Sequence, residues 1–148
     1  MAWRDIDEQV IHEHVVTALK KTLFNYPNAI HPHLKTYTNH PIKTHALQDH
    51  MGGQFYPDLV VIDSRSEKVI STIEVETINT VTEAESQQWV KFAGLCENFY
   101  LFFPRGLDAK VKEFCHLIKN GHCYEYWQEG ANFRAELVKF QTEKTTTG

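Results

Sequence analysis

Hydrophobic positions between residues 56 and 77 fall into two short runs that flank a polar stretch. The first run covers residues 59–62, and the second, residues 69–75, is rich in the β-branched residues Val and Ile. β-Branched residues favour strands, and a short polar segment between two such runs is typical of a hairpin turn. The pattern therefore predicts two antiparallel strands joined by a tight turn at residues 64–68.

The register of this hairpin decides which side chains lie opposite each other. A turn centred near Ser66 pairs Asp63 with Val69, and counting back along the two strands places Asp58 opposite Glu74. Directly opposed residues share a face of the sheet. We therefore expect the side chains of Asp58 and Glu74 to be neighbours.

Alternation along the strands adds a third carboxylate to this pair. With a period of two, Ile70, Thr72, Glu74 and Glu76 share one face of the second strand, which is also the face of Asp58. Two like charges ~4 Å apart repel by about 4 kcal/mol at an effective dielectric constant near 20. A cation or a shared proton relieves this repulsion, and carboxylate oxygens suit Mg²⁺, Mn²⁺ or Ca²⁺. The hairpin is therefore a candidate divalent-metal site.

The rest of the chain contains further helices and strands. Apolar periodicity and turn residues predict a helix at 5–24, a short edge strand at 34–38 and, after the hairpin, a helix capped by Thr80 or Thr82. They then predict a buried strand at 99–103, a helix that opens at 106–108 and ends at 120–121, and a closing hairpin at 123–128 and 133–140. A hairpin followed by a strand–helix–strand crossing implies a mixed sheet with helices on its faces. We expect one α/β domain over residues 1–142 and a flexible tail at 143–148.

The acidic hairpin resembles the catalytic motif of the PD-(D/E)XK, or restriction-endonuclease-like, nuclease superfamily. The matching residues are Pro57-Asp58, the hydrophobic strand and turn that follow, and Glu74-Val75-Glu76. The chain departs from the motif at Glu76, where the superfamily usually has Lys and some restriction enzymes have Glu. The predicted order of elements is similar to the αβββαβ core of that superfamily, here with an added helix and a C-terminal hairpin.

This resemblance implies a set of metal ligands and a reaction. Asp58, Glu74 and the backbone carbonyl of Val75 would bind Mg²⁺ or Mn²⁺, and Glu76 would be a third carboxylate ligand, a general base or a water-orienting group. Many superfamily members bring a Glu from the first helix towards the metal, and Glu8 is in phase for that role. A capping role for Glu8, together with Asp5, is the alternative.

The implied activity is metal-dependent hydrolysis of phosphodiester bonds in nucleic acid, with DNA favoured over RNA as the substrate. A homodimer is a candidate assembly. The alternative is a catalytically inactive nuclease-fold protein that acts as a binding or regulatory subunit. A third interpretation treats Asp58, Glu74 and Glu76 as ordinary residues at strand ends.

Composition and charge modify this hypothesis. The 148 residues carry a net charge of −4, which argues against a strongly basic surface for nucleic acid, although bound dications would offset part of it. Three cysteines and no signal-like N-terminus favour a reduced, cytoplasmic setting. No apolar run approaches the ~18 residues that span a bilayer, so we expect a soluble protein without a membrane partner.

Two other groups of residues are open to functional interpretation. Five histidines lie between residues 31 and 50, but their spacing matches no known zinc site, and nearby prolines would separate the ligands. They could instead line a substrate groove together with Lys35 and Lys43. On the second helix, Lys91 points away from the apolar stripe and is expected to be solvated, whereas Gln88 either reaches the site or remains on the surface.

Overall fold

A computed structural model describes residues 6–139, which form three helices and eight strands. The elements are α1 (Ile6–Lys21), β1 (Leu34–Thr38), β2 (Leu47–Gln48), β3 (Gln54–Phe55), β4 (Leu59–Asp63), β5 (Val69–Val75), α2 (Glu83–Ala93), β6 (Asn98–Pro104), α3 (Asp108–Cys115), β7 (Gly121–Glu129) and β8 (Asn132–Leu137). The predicted cap at Asp5 and the predicted tail at 143–148 lie outside the described residues. Within residues 6–139, none of the helices combines the length and apolar character needed to cross a membrane.

Six of the strands form one mixed sheet in the order β1-β4-β5-β6-β7-β8. The pairs β1–β4, β4–β5 and β7–β8 are antiparallel, whereas β5–β6 and β6–β7 are parallel. The prediction of a single mixed α/β domain is confirmed, including β1 as an edge strand and the closing β7–β8 hairpin. The separate two-stranded sheet β2–β3 was not predicted, because its strands have only two residues each.

Helices cover both faces of the large sheet. One face packs against α1, and its buried core comprises Val15, Val16, Leu19, Phe24, Leu59, Val61, Ile73, Val75, Phe102 and Tyr126. The other face packs against α2 and α3, and its core comprises Val81, Trp89, Phe92, Ala93, Phe99, Leu101, Phe103 and Val111. Because side chains alternate along a strand, β6 contributes Phe102 to the first core and Phe99, Leu101 and Phe103 to the second.

A β-bulge divides the β4–β5 hairpin into two registers. Far from the turn Leu59 pairs with Ile73, as predicted, but beyond the bulge Val69 pairs with Ile62 rather than with Asp63. The predicted pairing of Asp63 with Val69 is therefore wrong. The extra residue in the bulge also changes the face of Ile70, which packs against the α1 core instead of lying on the face of Thr72 and Glu74.

The predicted capping of α2 is confirmed at Thr82. The Thr82 hydroxyl accepts a hydrogen bond from the backbone N–H of Glu85. This satisfies one of the donors that the first turn of a helix leaves without an intrahelical partner. The cap fixes the start of a helix whose Trp89 side chain is fully buried beside the acidic end of β5.

Candidate metal centre

Asp58 lies immediately before β4, and its carboxylate is contacted from three segments of the chain. Oδ2 accepts a 2.8 Å hydrogen bond from the backbone N–H of Val75 and lies 3.0 Å from Nε2 of His12 in α1. Oδ1 lies 3.4 Å from Nε2 of His40, in the loop after β1. The residue is only 6% exposed, so these contacts determine the environment of its charge.

Glu74 is held beside Asp58, as the sequence predicts. Continuing the Leu59–Ile73 register by one residue brings Asp58 opposite Glu74. The backbone N–H of Asp58 donates a 2.8 Å hydrogen bond to Oε2 of Glu74, whose side chain is also buried. The two carboxylates are therefore coupled through a backbone contact as well as through their charges.

Glu76 follows β5 and is the most buried of the three predicted site residues, at 1% exposure. Its Oε2 accepts a 2.7 Å hydrogen bond from the indole Nε1 of Trp89. Its backbone carbonyl accepts a 2.6 Å hydrogen bond from the phenol of Tyr126 in β7. Glu76 is thus fixed between α2 and β7, with both its side chain and its backbone engaged.

The three carboxylates differ in their affinity for protons. Burial raises the pKa of Asp58, but His12, His40 and the Val75 N–H outweigh burial and hold it below its usual value. Burial and the neighbouring charges of Asp58 and Glu76 raise the pKa of Glu74 well above its usual value. Burial raises the pKa of Glu76 to about 8, against the opposing effect of hydrogen bonds from Thr80 and Trp89. In the absence of a cation, Glu74 and Glu76 therefore tend to retain protons while Asp58 is ionised.

Glu8, in the first turn of α1, contacts the loop after β5, and its predicted capping role with Asp5 involves a residue outside the described part of the chain. Its Oε1 accepts a 3.0 Å hydrogen bond from the backbone N–H of Asn79, and its Oε2 accepts a 2.7 Å bond from the Asn79 side chain. Asn79 belongs to the loop between β5 and α2, so Glu8 joins the start of α1 to the segment just after Glu76. The metal role implied for Glu8 by the resemblance stays a prediction.

The two histidines beside Asp58 were not among the predicted site residues. His12 is 1% exposed and lies one turn after Glu8, on the face of α1 that packs against the sheet. The rings of His12 and His40 meet edge to face with their centroids 4.3 Å apart. One ligand atom from each of His12, His40 and Asp58 lies within 4.8 Å of the other two, so this group could hold a metal ion. His12, His40 and Asp58 come from a helix, a loop and the start of a strand, so no local spacing in the sequence indicates the group.

The loop that carries His40 is fixed by its neighbour Asn39, which is 3% exposed. The Asn39 backbone N–H donates to the Asp58 carbonyl at 3.0 Å, and its side-chain amide donates to the Pro57 carbonyl at 2.7 Å. Its side-chain oxygen accepts from the backbone N–H groups of Thr44 and His45, both at 2.8 Å. Asn39 therefore ties residues 39–45 to the start of β4, directly beside the Asp58 carboxylate.

The other residues singled out in the sequence lie away from these contacts. Lys91 is exposed, and its ammonium group lies over the Phe55 ring, 4.8 Å from the centroid. Gln88 is exposed on α2. His45 stacks on Tyr37, with centroids 4.4 Å apart, and Lys35 lies over the same tyrosine ring. Of the histidines between residues 31 and 50, only His40 belongs to the group around Asp58.

Comparison with known proteins gives no relative from which a role could be transferred. No family model, no curated protein and no solved structure matches the chain. The functional argument therefore depends on the contacts of the described residues alone.

Proposed function

We propose that the protein is a divalent-metal-dependent nuclease that hydrolyses phosphodiester bonds in nucleic acid, with DNA favoured over RNA as the substrate. The observation that carries this proposal is the hydrogen bond between the Asp58 backbone and the Glu74 carboxylate, with Glu76 two residues further on. Two carboxylates at the ends of adjacent antiparallel strands can share an ion without any rearrangement of a loop. Mg²⁺ or Mn²⁺ is the ion that this oxygen-rich arrangement suits.

The order of elements supports the same proposal. Without the small β2–β3 sheet, the chain runs α1-β1-β4-β5-α2-β6, an order similar to the αβββαβ core of the restriction-endonuclease-like proteins that the acidic motif resembles. Asp58 then comes at the start of the second core strand and Glu74 near the end of the third. In the proposed assignment, β7, β8 and α3 are additions to this core.

The proposed reaction divides the work among the site residues. Asp58, Glu74 and the Val75 carbonyl would bind the ion, which lowers the pKa of a bound water and stabilises charge that develops on the phosphate. Burial raises the pKa of Glu76 to about 8, so Glu76 would first have to lose its proton, a loss that a neighbouring dication favours, and would then be able to accept a proton from water. Unlike the Lys that usually occupies this position, Glu76 cannot offset the phosphate charge, so the ion must do so.

A second candidate function is a nuclease-fold subunit that binds or regulates without cleaving. The observation in its favour is the engagement of the site residues by the protein itself. Asp58 is already paired with His12 and His40, and Glu76 is packed under Trp89 with 1% exposure. A side chain that activates water must be in contact with it, and burial restricts the access of water to Asp58 and Glu76.

Cleavage assays with the purified full chain distinguish the two functions. Single-stranded and duplex DNA and RNA are incubated with Mg²⁺, with Mn²⁺ or with EDTA, and products are separated by size. The proposal expects cleavage that requires metal and falls at least about 100-fold in Asp58→Asn and Glu74→Gln, on the scale of losing an electrostatic contact to the transition state.

The matched control is Glu97→Gln, which removes one negative charge at an exposed position just before β6. This variant should cleave as the unaltered protein does. Absence of cleavage under every condition, or equal cleavage by Asp58→Asn, would reject the nuclease and leave the binding subunit.

A further inference from the structure

We infer that His12, His40 and Asp58 form a binding site for a transition-metal ion, with Zn²⁺ as the best-suited candidate. This inference goes beyond the proposed function, because it concerns a nitrogen-containing ligand set and does not require any cleavage of nucleic acid. Imidazole nitrogen favours Zn²⁺, Cu²⁺, Fe²⁺ or Ni²⁺ over Mg²⁺, whereas the acidic pair Asp58 and Glu74 offers oxygen alone.

The spacing of the ligand atoms fits an ion of this class. Zn²⁺ binds nitrogen and carboxylate oxygen at about 2.0–2.1 Å in a tetrahedron, which places neighbouring ligand atoms about 3.4 Å apart. Nε2 of His12 lies 3.0 Å from Oδ2 of Asp58, and Nε2 of His40 lies 3.4 Å from Oδ1. Small shifts of the side chains would therefore place an ion between the two imidazoles and the carboxylate.

The three ligands are held in place before any ion arrives. His12 is on the buried face of α1, and the Asp58 carboxylate is oriented by the N–H of Val75. His40 follows Asn39, whose hydrogen bonds attach the loop to Asp58 and Pro57. Ligands that are already oriented lose little conformational entropy when they bind, which favours a specific site over casual binding by surface histidines.

The site also has a route for the ion. The side chain of His40 is 37% exposed, whereas those of His12 and Asp58 are 1% and 8% exposed. An ion can therefore approach from the His40 side and meet the two buried ligands behind it. Three protein ligands leave a fourth position for water, which is the arrangement of catalytic rather than structural zinc sites.

Isothermal titration of the metal-stripped full chain with Zn²⁺, and separately with Mg²⁺, tests the inference. The unaltered protein should bind Zn²⁺ with one tight site, and Mg²⁺ should not displace it at equal concentration. His40→Ala should weaken Zn²⁺ binding at least about tenfold, the lower limit of what a lost supporting contact costs at a metal site. His12→Asn should also weaken Zn²⁺ binding. Because His12 is buried, this replacement also affects folding, so the more exposed His40 provides the decisive variant.

Two further measurements make the result unambiguous. His14→Ala is the matched control, because His14 is exposed on the same helix two residues from His12. Co²⁺ in place of Zn²⁺ gives a visible absorption spectrum that reports tetrahedral coordination by nitrogen and oxygen and should disappear in His40→Ala.

Equal Zn²⁺ affinity in His40→Ala and in the unaltered protein, or an equal loss in His14→Ala, would overturn the inference and leave a simple His–Asp hydrogen-bonded pair. Failure of the nuclease assay would not produce either of these results.

Discussion

The phenol of Tyr126 donates a 2.6 Å hydrogen bond to the backbone carbonyl of Glu76, fifty residues earlier in the chain. This contact connects β7 to the residue that follows β5, across the intervening strand β6. Tyr126 is only 4% exposed, so its phenol is shielded from water. The fixed position of Glu76 therefore depends on an element outside the segment that carries the acidic motif.

Tyr126→Phe should destabilise the protein by about 1–3 kcal/mol, because the buried Glu76 carbonyl loses a hydrogen bond while the aromatic ring is retained. Unfolding in urea, followed by circular dichroism, measures the change in the free energy of unfolding. Tyr124→Phe is the control, since it removes a hydroxyl from a half-buried ring on the same strand. Equal stabilities of the Tyr126→Phe and unaltered proteins would contradict a structural role for this bond.

The stability of the metal-free protein should fall as pH rises from about 5 to about 8. Burial raises the pKa of Glu76 in the folded state to about 8, above the ordinary value of 4.5 for a glutamate side chain. In that pH range the unfolded chain releases this proton while the folded chain keeps it, so folding becomes less favourable as pH increases. Denaturant unfolding in EDTA at several pH values measures the slope.

Glu76→Gln should reduce this dependence on pH, because the amide replaces the protonated carboxyl with a neutral group of the same shape. The variant should gain stability relative to the unaltered protein as pH rises. Glu97→Gln, at an exposed position, should leave the slope unchanged. A slope identical in Glu76→Gln and the unaltered protein would show that Glu76 does not carry the effect.

Asn39→Ala should weaken both folding and binding of Zn²⁺. Loss of the Asn39 side chain leaves the buried Pro57 carbonyl without this partner, at a cost of about 1–3 kcal/mol, and also removes the bonds from the less buried N–H groups of Thr44 and His45. The loop that carries His40 is then less well positioned, and Zn²⁺ affinity should fall although Asn39 is not a ligand. Urea unfolding and Zn²⁺ titration measure the two effects.

The control for Asn39 is Asn28→Ala. Asn28 also organises a turn, by accepting hydrogen bonds from the backbone N–H groups of Ile30 and His31, but its turn precedes β1 and does not contact Asp58. Asn28→Ala should leave Zn²⁺ affinity unchanged. If both variants bind Zn²⁺ as tightly as the unaltered protein, Asn39 does not position His40.

Thr82→Ala should cost about 0.5–2 kcal/mol, the usual effect of removing a helix N-cap. The Thr82 hydroxyl accepts from the Glu85 N–H, and α2 carries Trp89 to the Glu76 carboxylate. Thermal unfolding measures the loss, and Thr82→Ser should recover most of it, because serine keeps the accepting oxygen. A Thr82→Ser variant as unstable as Thr82→Ala would show that the methyl group, not the cap, provides the stability.

Much of the fold was predictable because its elements have clear periodicity. The β4–β5 hairpin shows both the success and the limit of this reasoning. Counting along the strands paired Asp58 with Glu74, in agreement with the register at Leu59 and Ile73. A β-bulge was not foreseen, since one extra residue leaves no mark in a run of β-branched side chains. The face of Ile70 and the partner of Val69 were wrong for that reason.

The surroundings of the acidic residues were less predictable than the residues themselves. His40 is in a loop without periodicity, and its approach to Asp58 depends on the hydrogen bonds of Asn39. His12 lies within the predicted first helix, and helical periodicity alone does not distinguish a buried core histidine from a ligand. His12 contacts His40 and Asp58, which lie 28 and 46 residues further along the chain. Contacts over such separations follow from tertiary packing, which the hydrophobic pattern does not specify.

The packing of α1 also affects the order in which the chain becomes native during synthesis. The apolar side of this helix is covered by strands that include β6, roughly 80 residues downstream. At about 5–20 residues per second, a ribosome takes roughly 4–16 s to make that stretch. During that interval only the β4–β5 part of this core has been made, so Val15, Val16 and Leu19 stay incompletely covered and open to a chaperone until β6 emerges.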